Sequence, residues 1–484
     1  MNTMPRTADL AAKASAAPSA ESPPISETLA AFAHDLAASA IPEEVRERAR
    51  HLILDATGIA YASGRYDFAH KALTAIAGLG GEGRVPVIGL PNRLPPRDAA
   101  LINGILVHGL DFDDTHTGGV IHATSSVWPA TLATAWMRGT SGADLVTAYV
   151  AGVEAATRLA AVGSGPFHQL GFHPTGLIGV FGCALAAGTL MGLSPRALVM
   201  AQGIALSMAS GSLEFLEDGA WTKRMHPGWA AQSGITAAAL AQQGFVGPAR
   251  AYEGRFGLFR AYLQAGIEDE RWGRATAGLG KDWETMAVAV KPLPACHFTH
   301  ACSDAVLALA AKHKFEVDAI ERIKALVPAE VVKTVCEPVA NKRRPANAYD
   351  AQFSIPYLVA ASLVRGRFTL AELESEVLAD EAILHLCDRV DYEVDPRSTF
   401  PRHYTGEVQI ALKDGRTLTY REAMNRGCAD RPLSNAEIVD KFTGNARLSL
   451  SARQADEVRA AVLGLDRAPD ARAALDRTCQ AAPR

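Results

Sequence analysis

The sequence predicts a mostly α-helical protein: a large all-helical domain interrupted by a smaller α+β part. Three observations carry that expectation. Apolar residues make up 48% of the 484 positions but aromatics only 7%, and alanine and glycine run throughout, which favours closely approaching helices over an aromatic-rich sandwich. Apolar residues recur at helical spacing through most of the first half and again near the C-terminus. Between them, near Lys291, prolines fall at alternate positions and strand-like alternation follows. A chain this long is expected to hold two domains, or one large domain carrying an insertion.

Taken in order, residues 1–26 are Ala/Ser/Pro-rich without the apolar stretch of a secretory signal, so a disordered tail is expected; Asp9 and Glu21 argue against a transit peptide. From Ile41 a helix is predicted. Pro42 suits its first turn, Glu43 and Glu44 its positive end, and Val45, Ala49, Leu52, Ile53 and Ala56 recur on one side. Similar helices are predicted over 97–113, 127–138, 142–161, 174–191, 195–211, 228–244 and 255–265. "VKPLPACH" reads as an extended connection. A helix over 300–313, the strand-like "ERIKALVPAEVV", a helix from Ser354 to Val364 and a hairpin about Asp414-Gly415 follow. After "RPLSNAEIVDKF" helical periodicity returns to about 477, with Ser434 and Glu437 placed as a capping box. The predicted organisation is a helical domain over 27–285, an α+β lid over 286–425, and a returning helical segment over 426–484.

Several function classes are disfavoured. The net charge is −4 and no Lys/Arg stripe alternates with aromatics, so nucleic acid is not an expected partner. No apolar run approaches the roughly 20 residues that span a bilayer, so a soluble protein without a membrane partner is expected. Seven scattered cysteines without a CxxC pair predict reduced thiols and a cytoplasmic location. Neither GxGxxG after a strand nor GxxxxGK[ST] occurs, so nothing points to a nucleotide.

Chemistry concentrates in "HGLDFDDTHTGGVIH", His108 to His122. On a helix continuing to Thr115, His108, Asp111 and Thr115 would share one face, while Asp113 would point elsewhere. The plain alternative is a helix end with solvated aspartates. D-x-D-D could also hold Mg²⁺, but the second acidic cluster that this needs, Glu214, Glu217 and Asp218, is followed at once by Lys223 and Arg224. "GFHPTG" and "TKRMHPGWAAQSG" each set a histidine, His173 and His226, before a proline at an expected helix start. Such N-termini with adjacent cations suit a carboxylate or phosphate, although a single His-Pro is commonly a structural cap. Lys291 stands at the expected domain boundary, where ligand-contacting groups collect. Cys296, His297, His300 and Cys302 lack the paired spacing of a zinc site and any third group that would orient a Cys/His nucleophile.

"GLDFDDTH" with a following histidine, "GFHPTG", "TKRMHPGWAAQSG", "KPLPACH" and "FSIPY", in this order, resemble the successive signatures of the MmgE/PrpD family, over about residues 27–470. That family includes 2-methylcitrate dehydratases, cis-aconitate decarboxylases and iminodisuccinate epimerases. The resemblance implies a homodimer, a helical domain closed by a small lid, no metal and no cofactor. It places the site on Asp111, Thr115, His122, His173, Lys223, Lys291 and Tyr357, with Arg224 and His226 beside it as further substrate-binding groups. His116 competes with His122 for the acid/base role, and His122 is preferred. Arg224 stands where relatives often have proline; it would favour a more anionic substrate or point away. Lysines would neutralise carboxylates while histidines move a proton next to one. A lyase on a di- or tricarboxylate is therefore expected, with water loss slightly ahead of CO₂ loss, and epimerisation of an amino or imino dicarboxylate as the alternative. A non-catalytic helical dimer is the rival of another class; it would not need Lys223, Lys291 and His122 to converge.

Overall fold

Small residues let the helices of this chain meet backbone to backbone. The structure is a computed structural model describing residues 23–481 except 164, 265, 266 and 268. Helices α1 (Ile25–Asp35), α2 (Glu43–Ser63), α3 (Asp67–Gly80), α4 (Pro96–His108), α5 (Ala123–Arg138), α6 (Gly142–Gly163), α7 (Pro174–Leu190), α8 (Pro195–Leu206) and α9 (Thr222–Gln242) contribute to one hydrophobic core. Helix α9 packs against α4, α5, α7 and α8. A Cβ on Gly104 of α4 would lie 2.4 Å from the Cα of Gly228 in α9. The two helices can therefore cross in contact only without side chains there, and the crossing sets the start of α9 beside the chain that leaves α4.

Two short antiparallel strands, β1 (Thr115–His116) and β2 (Val288–Ala289), tie the segment after α4 to the chain entering the α+β part. That part has its own hydrophobic cluster. Helix α10 (His300–Lys312) packs against α11 (Ile355–Arg365) and a four-stranded sheet. The sheet order is β4 (Val390–Val394), β3 (Ile320–Val327), β5 (Gly406–Leu412), β6 (Thr417–Glu422), with β3 and β4 parallel and the other pairs antiparallel. The β5–β6 hairpin turns at Asp414-Gly415, where Gly415 has φ 89°.

The chain then returns to the first core through α12 (Asn435–Ala446), α13 (Ala452–Leu463) and α14 (Ala471–Thr478). Ser434 and Glu437 form the capping box at the start of α12. Phe442 of α12 lies so close to Gly58 of α2 that a Cβ there would sit 2.9 Å from its ring. The protein is thus mostly α with a smaller α+β part.

Several sequence expectations need correction. Helix α4 ends at His108, not 113, because the chain turns at Gly109 and Asp111 adopts a left-handed φ of 48°. His108, Asp111 and Thr115 therefore share no helix face. Helix α9 starts at Thr222, so Pro227 lies inside it and His226 does not begin a helix; a proline one turn in forfeits only one backbone hydrogen bond. His173 does sit at the N-cap of α7, ahead of Pro174. Helix α8 ends at Leu206, and the segment predicted over 255–265 is helical only over Leu258–Leu263. The tail expected over 1–26 is too long at its end, since Ile25 and Ser26 are buried in α1; residues 1–22 lie outside the described residues. Helix α6, at 22 residues, is long and apolar enough to cross a membrane by length and composition, against the expectation that no run approached this. It is buried in the core and carries a Glu154–Arg158 ion pair at 3.1 Å. All seven cysteines are free and buried.

Candidate active site

The segment between α4 and α5, residues 109–122, has little regular structure of its own, yet it is buried almost throughout. Buried carbonyls need donors, and here side chains from distant segments supply them. Arg224 Nε donates to Gly109 O at 2.8 Å, Lys291 Nζ to Asp111 O at 2.8 Å, and Lys441 Nζ to Phe112 O at 2.8 Å. Gln352 Nε2 donates to Leu110 O, and Tyr404 Oη to Thr117 O at 3.2 Å. These contacts hold two non-glycine residues at positive φ, Asp111 at 48° and Val120 at 51°. Such conformations cost about 1–3 kcal/mol each and persist only when the surroundings fix them.

Asp111 is thereby aimed between two lysines. Its Oδ1 accepts from Lys223 Nζ at 2.5 Å and from Lys291 Nζ at 3.1 Å. An ammonium has three donors, so these bonds leave two on Lys223 and one on Lys291. His122 Nδ1 lies 2.6 Å from Asp114 O and 3.3 Å from Thr115 Oγ1. A carbonyl can only accept, so Nδ1 carries the proton and Nε2 is the basic nitrogen. His108 Nδ1 donates to Asp113 Oδ2 at 2.8 Å, and His173 Nδ1 pairs with His226 Nδ1 at 3.0 Å. The rings of His108, His122 and His173 stand 4.9–5.9 Å apart. Among the sequence-predicted groups, Asp111, Thr115, His122, His173, Lys223 and Lys291 line one small cavity of about 40 Å³.

The electrostatics follow from burial and from this pairing. Burial alone would raise the Asp111 carboxyl, but the Lys223 and Lys291 ammonium groups outweigh it and hold the group far below the usual carboxylate range. Asp113 is held low in the same way, burial being outweighed by His108 and then His122. Burial pushes His122 well below the ordinary histidine value; Asp113 opposes this, while Lys291 and Lys223 add to it. His173 is lowered by burial and then by Lys223. In the free protein near neutral pH these imidazoles are neutral. Asp114, behind His122, is pushed the other way, to about 7, chiefly by burial and further by Asp113 and Asp55.

Other predicted residues fall elsewhere. Tyr357 is buried in the α+β core, where its hydroxyl donates to Glu372 O at 2.7 Å and its ring meets Phe368; it does not reach the cavity. Arg224 points away, its guanidinium stacked over Phe68 and Tyr349. His226 stands behind His173. His116 has both ring nitrogens engaged, Nδ1 accepting from Gly119 N at 3.1 Å and Nε2 donating to Glu284 at 2.8 Å. The cavity wall also includes Cys296, His297, Phe353, His168 and Tyr404. The first two were visible in "KPLPACH"; Tyr404 and His168 carried no local signal.

The acidic residues do not form a shared oxygen cage, since Asp111 already accepts from two ammonium groups and Asp113 from His108. Glu214, Glu217 and Asp218 are exposed. His108, His122 and His173 each offer one ligand atom within 4.8 Å of the others, as do His108, Asp111 and Asp113. Cys296, His297, His300 and Cys302 form no such group among the described residues: His297 Nε2 accepts from Asn425, and His300 Nε2 donates to Ala295 O.

Two family models match the chain, the MmgE/PrpD N-terminal domain over residues 27–269 and the MmgE/PrpD C-terminal domain over residues 293–467. A cis-aconitate decarboxylase of Mus musculus is 30% identical over 437 residues, 87% of this chain and 86% of its own length. The cis-aconitate decarboxylase-like protein oryM of Aspergillus oryzae is 28% identical over 456 residues, 90% of this chain and 93% of its own. A cis-aconitate decarboxylase of Aspergillus terreus is 26% identical over 461 residues, covering 91% and 92%.

Proposed function

The chain belongs to the MmgE/PrpD family, and on that premise we propose that it is a lyase that removes CO₂ from an unsaturated tricarboxylate of the cis-aconitate type, without metal or cofactor. The observation that carries this reading is the convergence of Lys223, Lys291 and His122 on one cavity, although they come from three distant segments. The relatives named as cis-aconitate decarboxylases move the balance from water loss, which the sequence slightly favoured, to CO₂ loss.

The residues suit each step. Free donors on Lys223 and Lys291, with the Thr115 hydroxyl, bind the carboxylates that stay. Arrival of a polyanion among neutral imidazoles raises their proton affinity, so His122 Nε2 takes up a proton. CO₂ then leaves from the saturated arm, and its bonding electron pair forms a new double bond to the central carbon. The electrons of the old double bond move to the far carbon, where the adjacent carboxylate spreads the charge and the lysines stabilise it. His122 delivers its proton to that carbon, giving methylenesuccinate.

The test is proton NMR in D₂O with cis-aconitate, citrate, methylcitrate and aspartate-derived diacids. Methylenesuccinate carrying one deuterium on the saturated methylene is the expected product, and dialysis against EDTA leaves the rate unchanged. His122→Gln lowers kcat by about 10²–10⁴-fold, the usual size of a general acid's contribution. Water loss from methylcitrate, or proton exchange without elimination, in place of CO₂ release would overturn the reading.

A further inference from the structure

Beside the acid/base cavity lies a second, larger chamber of about 490 Å³. Val120, His168, Phe298 and Thr334 line both spaces, so the two share a wall made of these four residues. The outer chamber lies between the helical and α+β parts. Its walls include Leu170, Leu263 and Ile267 from one side and Phe400 and Pro401 from the other. Apart from Arg271 and Glu330, its described lining carries no charged side chain; His168, in the shared wall, is kept neutral by burial and its Nδ1 has no partner.

A wall of this kind, mostly apolar with one arginine and one glutamate, gives little to a substrate made only of carboxylates. A route serving a small trianion alone would gain from cationic lining, which raises the local anion concentration. Apolar walls gain free energy only when apolar surface covers them, and Leu170 is 53% exposed. We propose that the outer chamber receives an aliphatic or aromatic arm of the substrate, so that the preferred substrate is a polycarboxylate with an apolar substituent. The arm passes between Val120 and Phe298 while its carboxylates stay on Lys223 and Lys291. This inference rests on the reading of the inner cavity as a carboxylate-binding acid/base site.

Succinate, butylsuccinate and hexylsuccinate titrated calorimetrically into the full chain test it without requiring turnover. Affinity is expected to rise about three- to fourfold per added methylene. Leu170→Glu, at an exposed position outside the inner cavity, should abolish that gain while leaving succinate binding and cis-aconitate turnover unchanged. Affinity independent of chain length, or a gain that survives Leu170→Glu, would overturn the proposal. So would a chamber covered by a second copy of the chain, seen as a dimer that Leu170→Glu dissociates with no ligand effect. If cis-aconitate is inert but the alkyl series behaves as stated, the reaction assignment fails and the arm pocket stands; the converse result sinks the pocket alone.

Discussion

Asp114 shows how one buried residue can shape the site without touching substrate. Its backbone carbonyl fixes the His122 tautomer, while its carboxyl, one oxygen of which has no hydrogen-bond partner, is raised to about 7 from an ordinary value of 3.8. Between those values the folded protein keeps a proton that the unfolded chain releases, so stability falls as pH rises from about 4 to about 7 and the loss is complete above that. Asp114→Asn removes this titration and keeps the carbonyl. The substitution should therefore stabilise the protein more at pH 8 than at pH 5, by a difference on the order of 2–4 kcal/mol, read as melting temperatures at the two pH values. An equal effect at both would show that Asp114 is ionised throughout. Neighbouring residues mark where sequence reading stops. The order of motifs could propose Asp111 and His122, but the Lys223–Asp111–Lys291 arrangement depends on a helix crossing that no local pattern encodes. Tyr357 matched a motif, but its side chain turns into the core of its own domain.

The element that defines the site is the 109–122 segment, and it is the least legible one in the chain. Some regular elements announced themselves: the capping box at Ser434, the proline opening α7 and the Asp414-Gly415 turn appear where local chemistry placed them. The segment after His108 read as more helix, because its departure is imposed by donors up to several hundred residues away. Lys441 of the returning helix α12 is one of them. It bridges Asp55 of α2, at 2.8 Å, and the carbonyl of Phe112. Lys441→Met should cost about 3–5 kcal/mol, because it leaves Asp55 buried and unpaired. The double variant Asp55→Asn/Lys441→Met should regain most of that stability. Both variants should nevertheless lose at least about tenfold in kcat with a smaller change in KM, since a loop shifted by a fraction of an ångström misplaces Asp111. Full kcat in the double variant would reduce Lys441 to a stability role.

For the whole molecule, the returning segment makes the two ends of the chain one folding unit. Ile438, Phe442, Val458, Val462 and Leu475 are all fully buried in the same core as α2. At about 1.5–3 kcal/mol for each buried side chain, they contribute roughly 10 kcal/mol, comparable with the entire net stability of an ordinary domain. The sequence showed this return as renewed helical periodicity after residue 434, but not its partner, because the complementarity lies between Phe442 and a glycine nearly four hundred residues earlier. A chain stopped at residue 432 keeps every group assigned to the inner cavity. It should still fail to fold, showing no cooperative thermal transition by circular dichroism and rapid cleavage within α2 and α4 under limited proteolysis. If it melted cooperatively within a few degrees of the full chain, the N-terminal helices would be self-sufficient. The 109–122 segment would then need α12 only through Lys441, and the loss of activity on truncation should match that of the Asp55→Asn/Lys441→Met variant.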